Sequence, residues 1–440
     1  MPLGMDRAGP PRTPRLGSRR TPRLGSRRAP RGLGEAPSAW LTVCVRPLCD
    51  REAMRVIHTS DWHLGRRLHG QDLLDHQADF LTWLLDLARA ESAGAVLVSG
   101  DVYDRAQPGA DAIRLMDRTV AAFAAAGVPL IVTSGNHDSA IRLQYAGEVL
   151  ARAGIHLRTS LEQVDQPVLL SDEHGQVAVY GIPYLVPDAV LGELDVERSH
   201  AAVLSALGER IRADAAARGV ARTIVMAHAF VTGAQVSDSE REIRVGGVGD
   251  TPADVFDGFS YVALGHLHGP QEVALTGSST RVVYSGSPLP FSFSERGHTK
   301  SVAVVDLDAG GTSALRRVPA PVARPMTQVR GRLAELLDRS DGDLAHLSEA
   351  WVKVVLTDPG RVASPMEQLR QRWPHTLVLE FAPDRPEGQA ATLRRLAEAA
   401  DPVDICRDFI TEVSGEPPSA AQREVIAAAV QACRRAEESA

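Results

Sequence analysis

From Met54 onward, short apolar runs alternate with longer amphipathic segments. Arg55–Thr59 and Ala95–Ser99 are apolar stretches of strand length. Between them, within Gln71–Glu91, residues Leu73, Leu74, Phe80, Leu81, Leu84, Leu85 and Ala88 recur at helical spacing. Ala110–Ala126 predicts a second helix, closed by Gly127, Pro129–Thr133 a third strand, and Ala140–Ala153 a third helix. Strand signals then dominate at Ile155–Arg158, Val168–Leu170 and Val177–Ile182, before a helix over Val196–Arg218. Thr223–Ala227, Tyr261–Leu264, Val282–Tyr284 and Ser301–Leu307 complete the strands. The alternation predicts a layered α/β domain over residues 54–307, with helices outside the strands.

Beyond it the pattern changes. Residues 308–324 are rich in Gly, Ala and Pro and read as a linker. Residues 325–389 predict a compact α+β module, from a helix at Gly331–Asp338, a strand at Trp351–Leu356, a helix at Pro365–Trp373 and a strand at Thr376–Phe381. Residues 390–440 read as a helical tail, broken around Ser414–Pro418. Its apolar positions, Val403, Ile405, Phe409, Ile410 and Val413, then Val425, Ile426, Ala429 and Val430, lie at helical spacing.

Residues 1–53 differ from all of this. They hold eight Pro and six Gly, and TPRLGSRR occurs twice in tandem, at Thr13–Arg20 and Thr21–Arg28. Such a stretch buries too little apolar surface to offset its ordering entropy, so it reads as a disordered leader before a folded protein starting at Met54. Its 11 Arg against 4 acidic residues leave a basic nucleic-acid arm as the alternative. The apolar run Ala39–Val45 is too short for an export signal.

The leader also hides the charge of the rest. The whole chain carries a formal −7, and residues 54–440 alone carry −14. An acidic body lacks the basic footprint of a nucleic-acid binder, so any DNA contact has to come from a local patch, a metal site or a partner. With 440 residues, 44% hydrophobic and 23% charged, the chain has room for two or three domains and is neither a disordered chain nor a coiled-coil rod. No run approaches the ~18–20 apolar residues of a membrane span. The four cysteines form no CxxC pair, which argues against a thiolate zinc site or a disulfide scaffold. Only two lysines occur, Lys300 and Lys353, and neither follows a Gly, so the chain has no P-loop. There is no GxSxG elbow, and Gly246–Gly249 lacks GxGxxG spacing.

The candidate chemistry lies where strands end. The successive strand ends carry Ser60-Asp61-Trp62-His63, Gly100-Asp101-Val102-Tyr103-Asp104, Gly135-Asn136-His137-Asp138, His228, and Gly265-His266-Leu267-His268. Ligands of open α/β sheets bind just outside the carboxyl ends of strands, so five such ends form one convergent site. The donors are oxygen and imidazole without thiolate, a set suited to Mn, Fe or Zn. Some seven ligands exceed one tetrahedral ion and suit two ions ~3.5–4 Å apart sharing a carboxylate, the arrangement used for phosphate-ester displacement.

This order of motifs resembles the calcineurin-like metallophosphoesterases, and within them the SbcD-type nuclease subunits. The runs that carry the resemblance are Met54–Gly65, Ser99–Asp104, Thr133–Ser139, Ala227–Val231, Ser237–Arg241, Tyr261–Gln271 and Tyr284–Phe293. It implies a metallophosphoesterase β-sandwich flanked by helices, with a smaller α+β capping domain and a helical C-terminal tail. It implies Asp61, His63 and His268 on one ion, Asn136, His228 and His266 on the second, and Asp101 bridging. His137 would protonate the leaving oxygen or stabilise the transition state, with Asp138 orienting its ring. Asp104 stands where relatives place a second active-site histidine, and that role is not transferred. Arg66, Arg67 and His69 are candidate DNA-phosphate contacts. The resemblance further implies two Mn²⁺ ions and a homodimer of nuclease domains. It also implies a tail docked on the SbcC ATPase, two copies of each subunit, and cytoplasmic DNA repair, recombination and replication. The expected activities are ATP-stimulated 3'–5' double-strand exonuclease and single-strand or hairpin endonuclease. Two other readings stay open: a small-molecule or cyclic-nucleotide phosphodiesterase, and a non-catalytic DNA-end-binding subunit.

Overall fold

The computed structural model describes residues 53–240, 251–322, 324–338, 344–382 and 401–437. The leader up to residue 52, the Gly246–Gly249 stretch and residues 383–400 of the expected cap and tail lie outside the described residues.

Fifteen strands of three or more residues are described. They are β1 Met54–Thr59, β2 Ala95–Ser99, β3 Leu130–Thr133, β4 Ile155–Arg158, β5 Val168–Asp172, β6 Gly175–Ile182, β7 Arg222–His228 and β8 Tyr261–Gly265. There follow β9 Gln271–Val273, β10 Arg281–Tyr284, β11 Ser301–Leu307, β12 Ser313–Pro319, β13 Met326–Gly331, β14 Trp351–Leu356 and β15 Thr376–Phe381. One six-stranded sheet has the order β12-β11-β1-β2-β3-β4, the other β9-β10-β8-β7-β6-β5. The strands β1 to β4 pair in parallel, as do β6, β7, β8 and β10.

The two sheets face each other. Val56, Leu97, Ile131, Val179, Ile224, Ala263 and Val305 meet between them. The alternate residues point outward: Ile57, Val96, Val98 and Val132 pack on helices α1 (Leu74–Ala90) and α2 (Ala110–Ala126) through Phe80, Leu84, Leu115 and Phe123. On the other side, Tyr180, Val225 and Val262 pack with Val203, Leu207 and Ile211 of the helix His200–Arg218. Strands buried on both faces read as continuous apolar runs, and this explains why the sequence shows no alternation there. The α/β sandwich flanked by helices is the expected architecture.

Several elements differ from expectation, among them strands β9 and β13, which the apolar pattern does not predict. The segment read as a linker contains β12, which pairs antiparallel with β11 along its whole length. As an outer strand with one exposed face it needs few apolar residues, so SALRRVP carries a weak strand signal. Ala140–Ala153 is two short helices, Ala140–Leu143 and Gly147–Ala151. The helix predicted from Val196 starts at His200, capped by Ser199, and a separate helix spans Pro187–Leu194.

A third sheet, β13-β14-β15, is parallel throughout. One face is covered by Leu333, Leu336, Leu369 and Trp373 from two helices. Met326 and Trp351 instead join Leu68, Leu289, Phe291 and Phe293. The tail helices Pro402–Ser414 and Ala420–Glu437 are separated at Gly415, near the break expected at Ser414–Pro418.

One ion pair fastens the second sheet's edge. Buried Arg222 donates to both Asp172 carboxylate oxygens, at 2.7 and 2.5 Å, and to Gly175 O at 2.8 Å. Burial pushes the Asp172 carboxyl up, but Arg222 and nearby hydrogen bonds overcome it and hold it below its usual value. Arg222→Met is expected to cost about 3–5 kcal/mol, because it strands a buried carboxylate. Urea unfolding at pH 7 reads this loss. The wild-type advantage is complete above the unfolded carboxylate pKa of about 3.9 and disappears as pH falls through the lower folded value.

Candidate metal centre

The parallel strands of both sheets end on one rim, and close backbone approach brings the ends together. A Cβ on Gly265 would lie 1.8 Å from Ser99 O, and one on Gly135 would lie 2.1 Å from Asp101 Oδ1. Only glycine fits at these two positions, which accounts for the Gly before Asn136 and before His266.

The loops themselves are strained. Asp61, His63, Asp101 and His266 have φ of 53°, 44°, 51° and 104°. Such conformations persist where surroundings over-determine them, and they cluster at functional sites. Here Asp61 N donates to Gly100 O at 3.1 Å and His63 N to Asp101 O at 2.9 Å. Gln77, buried on α1, donates to Trp62 O and His63 O at 3.0 and 2.8 Å. The sequence alone does not single out Gln77; its spacing of four from Leu73 and from Leu81 puts it on the apolar face of α1, a signal that it serves a buried partner.

Six of the seven expected ligands make close side-chain contacts within two adjoining groups. Asp61, His63 and His268 offer ligand atoms within 4.8 Å of one another, as do Asp61, Asp101 and His228. His63 Nε2 and His268 Nε2 are 3.1 Å apart. Asn136 Oδ1 lies 2.9 Å from His228 Nε2. Asp101 Oδ2 is 3.6 Å from His63 Nε2 and 3.5 Å from His228 Nε2, so it stands between the groups. His266 borders the second: its ring centroid is 5.3 Å from that of His228, and its N–H donates to Asp61 at 3.0 and 3.2 Å.

The donor set fits divalent cations. Burial holds His63 and His266 well below the usual imidazole value and lowers His228, keeping the rings neutral as ligands require. Burial likewise pushes Asp61 up to about 6, an electrostatic cost that a cation would relieve. His228 donates Nδ1–H to Ser99 O at 3.0 Å, which leaves the ring's lone pair on Nε2, where a cation could be met. Asn136 Nδ2 is buried with no hydrogen-bond partner, as expected of an amide turned so that its oxygen faces the site.

The remaining residues divide. His137 Nδ1 lies 2.8 Å from Asp104 O, and its Nε2 is 3.9 Å from Asp101 Oδ2. The backbone of Asp104 thus orients the His137 ring, a task expected of Asp138. Asp138 instead accepts from the N–H groups of Val102, Tyr103 and Gly135 at 3.1, 2.9 and 2.9 Å, tying two ligand loops together. Both of its carboxylate oxygens are engaged by these backbone donors. The Asp104 carboxylate lies 3.8 Å from both His63 Nδ1 and Arg66 Nη1.

Arg66 also departs from expectation. Its guanidinium donates to Ser239 O at 2.8 Å and sits over the Phe291 ring at 4.8 Å, so it braces the site rather than facing solvent. Arg67 and His69 are exposed; Arg67 lies 3.6 Å from Asp72, and the His69 ring 5.6 Å from Phe293. The sequence assigns no role to Ser239, Glu240, Glu295 or Lys300, which surround His268, although Ser239 and Glu240 lie in the Ser237–Arg241 run. For the other two, the visible signal is that Lys300 is one of only two lysines.

Residues 54–270 match the calcineurin-like phosphoesterase family, and residues 322–414 match the SbcD C-terminal family, described as the type 5 capsule protein repressor C-terminal domain. Among solved structures, the calcineurin-like phosphoesterase YfkN from Bacillus subtilis is similar at 14% identity over 60% of this chain and 88% of its own, with a TM-score of 0.34. A dimetal phosphatase from Danio rerio is similar at 12% identity over 60% of this chain and 99% of its own, with a TM-score of 0.35. The chain belongs to the calcineurin-like phosphoesterases and is a metal-dependent phosphoesterase with a site for two divalent ions. The second family match makes it an SbcD-type member.

Proposed function

We propose that this phosphoesterase is a DNA nuclease subunit that hydrolyses phosphodiesters with two Mn²⁺ ions. In this reading it is a 3'–5' double-strand exonuclease and a single-strand or hairpin endonuclease, stimulated by ATP through SbcC. It would serve DNA repair, recombination and replication in the cytoplasm. The observation that carries the reading is Asp101 Oδ2, 3.6 and 3.5 Å from two imidazoles of different groups, with His137 Nε2 at 3.9 Å.

Asp61, His63 and His268 would hold one ion, and Asn136, His228 and His266 the other, with Asp101 shared. When bound, the ions would activate a water and neutralise charge on the phosphoryl oxygens. The protein residues do the rest. Asp104 O holds His137 Nδ1–H, so the cationic ring would carry its second proton on Nε2, give it to the leaving oxygen and be left as the neutral imidazole. Asp138 keeps the His137 and Asp101 loops in register through its three backbone bonds. A cavity of about 410 Å³ beside Asp104, lined in part by Arg67 and Arg105, gives a strand somewhere to lie, and Arg67 remains a candidate phosphate contact.

The division into a nuclease domain, 54–307, a capping domain, 325–389, and a tail, 390–440, is part of the proposal, with β12 added to the first. Ile141, Tyr145 and Val149, on the two short helices after the Gly135–Asp138 loop and the turn between them, are 88%, 83% and 66% exposed, a surface suited to a second copy of this chain. Phe409, Val413 and Val425 are exposed on the tail helices, which suits docking of an amphipathic face in an apolar groove of SbcC. Deleting residues 401–440 is expected to leave Mn²⁺ binding intact and to abolish co-purification with SbcC. Full-yield co-purification would assign docking elsewhere. No helix among the described residues is long and apolar enough to cross a membrane.

A small-molecule phosphodiesterase would need neither cap nor tail. Purified protein with Mn²⁺, assayed on linear duplex DNA and on a small phosphodiester, separates the two. Shortening of the duplex supports the nuclease, whereas turnover of the small ester alone supports the other reading.

A further inference from the structure

Behind His268 lies a buried polar chain that neither the family motifs nor the site description above assigns a role. His268 Nδ1 lies 2.6 Å from Ser239 Oγ, which donates to Glu295 Oε1 at 2.5 Å. Glu295 Oε2 pairs with Lys300 Nζ, and Lys300 also donates to His268 O and Ser287 Oγ, each at 2.9 Å. Glu295 and Lys300 are 1% and 3% exposed. A buried ion pair of this kind is costly to desolvate, and replacement by apolar residues is often neutral or stabilising. Its presence beside a metal ligand therefore points to a task other than stability.

Counting protons defines that task. Ser239 has one hydroxyl hydrogen, and Glu295, ionised against Lys300, is the strongest acceptor within its reach. Ser237, whose Oγ lies 3.0 Å from Ser239 Oγ, donates to Glu240 Oε2 at 2.8 Å. With both hydroxyl hydrogens directed at carboxylates, Ser239 Oγ meets His268 Nδ1 only as an acceptor. His268 Nδ1 must then carry the ring hydrogen, and the lone pair sits on Nε2, the atom 3.1 Å from His63 Nε2. Glu240 Oε1 accepts from His268 N at 2.8 Å and fixes the backbone as well.

We propose that Ser239, Glu295 and Lys300 form a positioning relay that locks the tautomer and orientation of His268 and so sets the affinity of one metal position. The proposal rests on the two-metal reading of the site. The relay also touches the cap side of the molecule: Glu295 Oε1 accepts from Phe291 N at 3.1 Å, and Phe291 shares a cluster with Met326 and Trp351.

Ser239→Ala removes one hydroxyl and leaves Glu295 with Lys300 and Phe291, so the fold should survive. Calorimetric Mn²⁺ titration of the full chain, with thermal melting of the metal-free protein alongside, tests the relay. Wild type is expected to bind two equivalents. Ser239→Ala should weaken one of them by about 10- to 100-fold, the usual cost of losing an outer partner of a ligand, and leave the other unchanged. Ser239→Thr, which keeps the hydroxyl, should restore it. Failure of the wild type to bind two equivalents would refute the metal reading itself. Wild-type affinities at both positions in Ser239→Ala would refute the relay alone. So would equal weakening of both positions with a lowered melting temperature, the mark of a loop that has merely collapsed.

Discussion

Asp101→Asn is expected to abolish Mn²⁺-dependent phosphoester hydrolysis while the protein stays folded. Asp101 holds φ at 51°, a left-handed conformation that Asn adopts readily. Its Oδ1 accepts from His137 N at 2.9 Å, and an amide oxygen can still do so. What the variant loses is the negative charge at Oδ2, between His63 and His228. Two cations held together by one carboxylate repel each other once it is neutral, so both occupancy and turnover fall. Melting of the metal-free protein should change little, whereas the Mn²⁺ titration should drop below two equivalents and activity should become undetectable. Near-normal turnover would remove Asp101 from the shared position.

His137→Asn should fail differently. His137 clusters with His63 and Asp104 and belongs to neither of the two groups that contain Asp61, so two equivalents of Mn²⁺ should still bind. The chemical step loses its proton donor, and kcat should fall by about 10²–10⁴. The loss should shrink on a phosphodiester with an acidic phenol leaving group, which departs without protonation. Equal losses on both substrates would argue for a purely electrostatic role. Loss of an ion would make His137 a ligand.

Much of this site was readable because its ligands sit directly after apolar runs, and because the parallel strands of both sheets end on one rim. Gly135 and Gly265 precede their ligands for a steric reason that the sequence records as a motif. Other features left weaker traces. Arg66 looks like a loop residue free to meet phosphate; its burial depends on Ser239 and Phe291, far along the chain. Asp138 adjoins His137 in sequence, yet its carboxylate is aimed at backbone donors from another loop. The relay behind His268 joins Ser239, Glu295 and Lys300, from separate segments with no shared period. Strand β12 was hidden because an edge strand with an exposed face tolerates Arg316 and Arg317.

In the proposed centre one carboxylate, that of Asp101, joins two divalent ions. Anomalous diffraction from a crystal of the protein soaked in Mn²⁺ would locate them. Two peaks about 3.5–4 Å apart, with Asp101 within bonding distance of both, are the predicted result. A single peak, or two peaks without Asp101 between them, would contradict it.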